Sequence, residues 1–488
     1  MDFEVVIGLE VHTQLKTNTK LFCGCSTAFG AEANSQTCPV CLGLPGVLPV
    51  MNKTAFEYAV KTALAFNCSV AKVTKFDRKN YFYPDLPKNY QISQYDIPIG
   101  YDGYLEIDSR KIGIKRVHLE EDAGKLIHSE SAGNCNAPAQ VGQTAGDQYS
   151  LVDLNRTGVP LVEIVSKPEI KSAEEAYQYL TALKSLLIYL GVSDCDMEKG
   201  SLRCDANLSI RPKGSDELNT KTEVKNLNSF KFVVKALEYE ANRQMALLRE
   251  GKKVAGETRL WDDVAQETRP MRSKEDIQDY RYFPEPDLKS YVISEDWLSE
   301  VGASLPELPA QRKKRYMNQY QLSAYNAGVL LQSKDMADYF EECLKYFNNP
   351  KSVSNWLMSE VMRYLNESKK EIRDIGIAPQ RIAELLKLFD EKKITSTATK
   401  EVWNMMIANP DQSPIEIVQQ KGLAQINDES VIEGFVKEVI EKNARIAGDY
   451  KSGKKSAIEA LVGQVMKLSK GKASPDKVRA LLQNRLNS

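Results

Sequence analysis

Histidine is scarce in this chain of 488 residues: only His12, His118 and His128 occur. A hydrolytic relay that draws its histidine from the later two-thirds of the chain is therefore excluded, and no Gly-x-Ser-x-Gly elbow is present. Long apolar runs are also missing. None approaches the ~18–20 residues that cross a bilayer, and Met1-Asp2-Phe3-Glu4 is acidic where a secretory leader would be basic. The expectation is a cytoplasmic chain with no membrane partner. An excess of one charge is absent as well: 65 Lys and Arg stand against 66 Asp and Glu, so any affinity for a polyanion must be local. There is no internal repeat and no low-complexity tract. With 42% hydrophobic and 27% charged residues, disorder is excluded as the dominant state, and the length suggests roughly two to four domains. Nine cysteines form no disulfide scaffold at this length; close spacing in a cytosolic chain points first to metal or catalysis.

What is present is organised in three stretches. The first 160 residues alternate β-branched or aromatic runs (Phe3–Val11, Gly113–His118, Leu161–Ser166) with Gly, Pro, Asn and Asp, which predicts strands and loops. Ser172-Ala173-Glu174-Glu175 reads as a capping box, Ala176, Leu180, Leu183, Leu187 and Leu190 follow at helical spacing, and Gly191 ends the run. Strand character returns over Gly200–Pro212, and a second long helix starts near Asn228 or Ser229. The expected fold class is α+β: a mixed-strand domain over 1–295, an all-helical domain over 296–408, and a small helical tail domain over 409–488. Asn409–Pro414 has the composition of a linker or domain start.

Cys23-Gly24-Cys25 and Cys38-Pro39-Val40-Cys41 are two close thiol pairs joined by a short loop. Such pairs can converge tetrahedrally on zinc, with Gly24 and Gly43 allowing the tight turns. Buried free thiols or a redox pair are the alternatives, but a redox Cys-x-x-Cys usually opens a helix beside a strand, so structural Zn²⁺ on Cys23, Cys25, Cys38 and Cys41 is expected. Cys68, Cys135, Cys195, Cys204 and Cys343 are dispersed and read as core or surface residues. Glu10 and His12 lie two apart on a predicted strand and share a face, which suits a divalent ion. His118–Lys125 gathers Glu120, Glu121 and Asp122 near a strand end, Glu163 follows Pro160-Leu161-Val162, and Asp205 lies within Arg203–Asn207. Dispersed acids of this kind fit Mg²⁺, which is held by carboxylates with substrate phosphates and water, although each acid alone could be a solvated strand-end charge. Gly448–Lys455 imitates a phosphate loop, but Lys455 stands where Ser or Thr should be and no strand precedes it; it is rejected. Tyr81–Tyr90 and Asp279–Pro284 are aromatic loops with basic residues, suited either to stacking unpaired bases or to rigid packing. Residues 451–488 carry nine basic residues against Glu459 and Asp476 on amphipathic helices, a basic face that commonly meets a polyanion and otherwise is merely solvated.

Val6–His12, Phe76–Gln91 (FDRKNYFYPDLPKNYQ), His118–Lys125, Asp153–Glu163 (DLNRTGVPLVE), Gly200–Asn207 and Asp279–Asp287 together resemble the B subunits of tRNA-dependent amidotransferases, over essentially the whole chain. The resemblance implies a cradle domain that holds the active site, then a helical domain and a tail domain. It implies a heterotrimer with an amidase-like A subunit and a small C subunit, in which this chain binds misacylated Glu-tRNA(Gln), and Asp-tRNA(Asn) in many organisms. ATP would phosphorylate the esterified side-chain carboxylate, and ammonia channelled from the glutaminase subunit would displace phosphate. A non-discriminating aminoacyl-tRNA synthetase is a further possible partner. Carried over by motif, Glu10, His12, Glu120, Glu121, Glu163 and Asp205 resemble the catalytic and Mg²⁺-site residues. Lys79, Lys88, Lys125 and Arg156, from the same motifs, are the candidates to bind ATP, and Lys451, Lys454, Lys455, Lys467 and Lys470 those to bind tRNA. Some members of that family lack the cysteine knuckle, which makes its zinc structural. A non-catalytic tRNA scaffold is the competing reading, and it has no use for Glu10, His12 and Glu120 together. The stand-alone archaeal relative carries an inserted domain for which no room exists between Asp287 and Leu305. The glutaminase role is excluded by the missing Ser–Ser–Lys amidase motif.

Overall fold

The structure is a computed structural model that describes residues 2–107, 110–128, 150–273, 279–426 and 428–487. Cys135 lies outside them. Two compact units emerge, Met1–Ala310 and Gln311–Ser488.

The first unit is built on a mixed sheet of nine strands: β1 (Phe3–Gln14), β2 (Ser69–Val70), β3 (Gly100–Ile107), β4 (Arg110–Glu121), β5 (Pro160–Ser166), β6 (Leu202–Pro212), β7 (Thr222–Lys225), β8 (Glu257–Asp262) and β9 (Glu267–Ser273). Their order is β9-β8-β7-β6-β1-β5-β4-β3-β2, and only β7 and β8 run parallel. Alternation along each strand separates two faces. Ile7, Leu9 and Val11, Val117 and Leu119, Val162 and Ile164, and Cys204, Ala206 and Leu208 enter one core. Helices α1 (Lys53–Ala65), α2 (Ala173–Leu190) and α3 (Phe230–Arg249) cover that face. Burial of so many branched side chains, at ~25 cal/mol per Å² of apolar surface, is the main term holding the sheet to the helices.

The helix ends follow local chemistry. Ser172 accepts from the Glu175 backbone N–H and Ser229 from that of Phe232, satisfying donors that a helix start leaves unpaired. The expected capping box is only half formed, because Glu175 accepts from the Lys171 N–H and pairs with Arg110. Gly191, at φ +70°, ends α2 in the left-handed conformation. The first unit extends past the expected boundary at 295. Helix α4 (Glu295–Ala303) belongs to it because Trp297 stacks on Phe56 of α1, ring centroids 5.9 Å apart. Among the described residues, no helix is long and apolar enough to cross a membrane.

The second unit is all-helical. Helix Pro414–Lys421 packs on helices Pro379–Asp390 and Ser396–Ala408, whereas Ile432, Val436, Leu461, Val465, Val478 and Leu482 form a separate small core. The rejected phosphate-loop look-alike runs through helix Ala444–Lys451 and the turn after it, with no strand before it.

Candidate active site

The sheet face turned away from the helices carries the polar side chains of β1, β4, β5 and β6. Register aligns them in rows. His12 on β1 stands opposite Glu163 on β5 and opposite Arg203 on β6, and Glu163 stands opposite His118 on β4. One row along lie Lys225, Asp205, Glu10, Val165 and Arg116. Opposed residues in an antiparallel pair share a face with Cβ atoms about 4.5–5.5 Å apart, so the pairing itself assembles the cluster.

Its centre is Glu163. One carboxylate oxygen lies 2.9 Å from His118 Nε2 and 3.5 Å from His12 Nε2, and His12 Nε2 is 3.8 Å from Glu120. Ligand atoms of His12, Glu120 and Glu163 all lie within 4.8 Å of one another. Two carboxylates and an imidazole at that spacing fit a divalent cation with positions left for phosphate and water. The same carboxylates draw positive charge to the imidazoles. Burial would lower the His118 pKa, yet Glu163 and Glu120 overcome it and raise it to about 9. His12 is raised in the same way, against burial, chiefly by Glu163. Burial would raise the Glu163 carboxyl, but His118 and His12 hold it well below the usual range; burial would raise Glu120 too, and His118 turns that into a lowering. Ser93 Oγ, on the strand Tyr90–Ser93, donates to Glu120 at 2.9 Å and fixes it.

The other expected site residues fall around this centre. Glu10 accepts from Asn207 Nδ2 at 2.9 Å, and Asp205 pairs with Lys225 at 2.6 Å; both share the face, one row from the triad. Glu121 does not join them. As the neighbour of Glu120 it points the opposite way, where it pairs with Lys88 and accepts from the Ile92 N–H at 2.9 Å. Lys79 Nζ stands 4.9 Å from the centroid of the Tyr280 ring and contributes to lowering Glu120. Arg156 donates to the Ala123 carbonyl and lies 3.6 Å from Asp122. A cleft of about 780 Å³ opens beside the triad on the β6 side, lined by Lys125, Arg156, Lys199, Arg203 and Asp205. The aromatic loops pack on each other, Tyr81 edge-on to Tyr280 at 5.9 Å, while Phe82 and Tyr83 stay exposed. The tail lysines form two exposed groups: Lys451, Lys454 and Lys455 before helix Ala457–Leu468, Lys467 and Lys470 at its far end.

The site residues assigned from sequence leave out His118, Arg116, Arg203 and Asp122, although the segments His118–Lys125 and Arg203–Asn207 hold three of them. Counting back by two from Glu120 and from Asp205 reaches His118, Arg116 and Arg203, so period two carried the signal. Asp122 accepts from Gln14 Nε2 at 2.8 Å and from Arg203 at 2.9 Å, and only the tertiary structure shows that.

The cysteine knuckle lies against the Lys88–Glu121 pair. The sulfurs of Cys23, Cys25, Cys38 and Cys41 lie within 4.8 Å of one another, close to the spacing of four thiolates ~2.3 Å from a shared zinc. Cys41 is the acidic member: hydrogen bonding from Cys23 lowers its pKa most, and the wholly buried Lys20, with Nζ 3.6 Å from its sulfur, adds to this. Gly43, at φ +69°, closes the one-turn helix Pro39–Leu42, and a Cβ there would fall 2.2 Å from the Lys88 side chain. The donor set fits a soft divalent ion.

Residues 5–299 match the family described as the GatB/GatE catalytic domain, and residues 338–486 match the GatB domain that extends to the tail. The chain belongs to the GatB family. Its relatives include the B subunit of the aspartyl/glutamyl-tRNA(Asn/Gln) amidotransferase of Carboxydothermus hydrogenoformans, 54% identical with 99% of each chain covered. The B subunits of the same name from Caldanaerobacter subterraneus subsp. tengcongensis and Thermodesulfovibrio yellowstonii are each 52% identical, over 100% and 99% of both chains. The GatB residues described above thus include the whole polar face, since β1 to β9 fall almost entirely within the catalytic match.

Proposed function

We propose that this GatB chain is the kinase and transamidase subunit of a cytoplasmic heterotrimer with an amidase-like A subunit and a small C subunit, acting on Glu-tRNA(Gln) and Asp-tRNA(Asn). The observation that carries the reading is the His12–Glu120–Glu163 triad, its two carboxylates buried, beside a cleft lined by Lys125, Arg156, Lys199 and Arg203 together with Asp153, Glu198 and Asp205. Bound there, Mg²⁺ would neutralise charge developing on the transferred phosphoryl group. The chain's own residues do the rest. His118 holds Glu163 and Glu120 ionised, Asp122 holds Arg203 at the edge of the cleft, and Lys125, Arg156 and Arg203 face the nucleotide's phosphates. The substrate's side-chain carboxylate oxygen bonds to the γ-phosphorus as its bond to the β-phosphate oxygen breaks, giving ADP and an acyl phosphate. Ammonia from the glutaminase subunit then bonds to the acyl carbon, and inorganic phosphate leaves. Phosphoryl transfer to a carboxylate requires positioning and charge stabilisation rather than a protein nucleophile, in keeping with a site of acids, imidazoles and cations.

Zinc on Cys23, Cys25, Cys38 and Cys41 is a structural support in this reading, and the tail lysines bind tRNA phosphates. The test is incubation of the purified complex with ATP, Mg²⁺ and each misacylated tRNA, without glutamine. ADP formation that depends on the misacylated tRNA is expected; its absence overturns the proposal.

A further inference from the structure

We infer that Arg116 is the residue that receives the side-chain carboxylate of the aminoacyl group, and so distinguishes Glu-tRNA from its amidated product. This deepens the function proposed above and rests on it. Arg116 projects from β4 onto the polar face, between Val165 and Tyr101 in the register. Its side chain is 32% exposed, and its one ion-pair contact among the described residues is with Glu163, at 3.9 Å. It makes no hydrogen bond there, and its Nε is buried without a partner. Other arginines around the sheet are anchored: Arg203 by Asp122 at 2.9 Å, Arg78 by Glu285 through two bonds, and Arg259 by Glu257 and Thr268. An arginine left unanchored beside a triad of metal-ligating side chains is an unfilled anion fork, because guanidinium geometry matches a carboxylate through two parallel bonds.

Topology says which anion. Across the strand order β6-β1-β5-β4, the cleft residues Arg203 and Asp205 stand on β6, His12 on β1, Glu163 on β5 and Arg116 on β4; along β4, Arg116 lies beyond His118 on the side away from the cleft residue Lys125. Transfer in line requires the acceptor oxygen and the leaving oxygen on opposite sides of phosphorus. A nucleotide entering from the cleft therefore leaves the Arg116 side to the acceptor carboxylate. Lys79, a further cation near the triad, is engaged with the rings of Tyr81 and Tyr280 and is a single point charge.

The experiment measures equilibrium binding of Glu-tRNA(Gln) and of Gln-tRNA(Gln) to the intact complex without ATP or glutamine, and of the β,γ-imido analogue of ATP with Mg²⁺. The native complex should prefer the Glu form by roughly tenfold to a hundredfold, the worth of a charge-assisted bidentate pair. Arg116→Ala should bring that ratio close to one and leave the analogue's affinity unchanged, with Arg116→Lys in between. Three results would overturn the inference: no preference in the native complex, a preference that survives Arg116→Ala, or a variant that loses analogue affinity as well. Collapse of the preference in Lys79→Ala and not in Arg116→Ala would give the role to Lys79 and also overturn it. Failure of the underlying function is separately visible, as a native complex that forms no ADP with Glu-tRNA.

Discussion

Glu163→Gln is the most informative perturbation, because one carboxylate meets both imidazoles of the cluster. Its Oε2 lies 2.9 Å from His118 and 3.5 Å from His12. Two unit charges 3.5 Å apart interact by about 5 kcal/mol at an effective dielectric of about 20, and removing one partner of a buried pair typically costs about 3 to 5 kcal/mol. Both figures concern the same interaction and are not to be added. Glutamine keeps the volume and hydrogen-bonding reach but gives up the charge. The variant should fold with that loss of stability, while the weakened charge neutralisation in the transition state, worth several kcal/mol, lowers Mg²⁺-dependent ADP formation with Glu-tRNA by roughly 10² to 10⁴ in rate. The assay is ADP release by the complex across a Mg²⁺ titration without glutamine, beside glutaminase activity and circular dichroism as controls. The deficit should shrink as Mg²⁺ is raised, because a weakened ligand set is filled by mass action. A rate close to native at low Mg²⁺ would refute the placement of the metal on this triad. A loss of helical signal would show instead that Glu163 holds the sheet together.

Elemental analysis should find about one zinc per chain, and Cys38→Ser should lose it and lower the thermal midpoint before it alters chemistry; a native protein free of zinc would remove that site. Glu240, buried on α3, accepts from Arg243, Gln244 and Thr268 at 2.6 to 2.9 Å, and Glu240→Ala should cost about 3–5 kcal/mol in denaturant unfolding. Burial would raise that carboxyl, but Arg243 and Gln244 hold it below its ordinary 4.5; its contribution is complete above that value and is lost as the pH falls through the lowered one, so Glu240→Gln should flatten the acid limb of stability. Replacing Lys451, Lys454 and Lys455 together by alanine should weaken tRNA binding and reduce the slope of log affinity against log salt by about 0.7–0.9 for every phosphate left unneutralised; an unchanged slope would assign this turn to another role.

The sequence by itself determined the α+β class, the two long helices with their serine caps and the knuckle of four cysteines, because each depends on near neighbours. A hydroxyl three residues from an N–H, or two thiols two or three residues apart, find each other whatever the rest of the chain does. It also showed that Glu10 and His12 share a face. The same period of two would have separated Glu120 from Glu121 and added His118, Arg116 and Arg203, so those omissions were legible. What only the tertiary structure decided is the register between strands far apart in the chain. His12 meets Glu163 across 151 positions because β1 pairs with β5 at that offset, and a slip of one residue would turn either side chain into the helical core. Hydrophobic alternation limits each strand to two faces, but the joint burial of Val11, Ile164, Val117 and Cys204 selects the alignment. The unit boundary was decided in the same way, by Trp297 finding Phe56 rather than by any local change of composition. The charge states of His118 and Glu163 follow from that pairing, since burial favours the neutral form of both and their proximity, with Glu120 and His12 beside them, favours the ionised one.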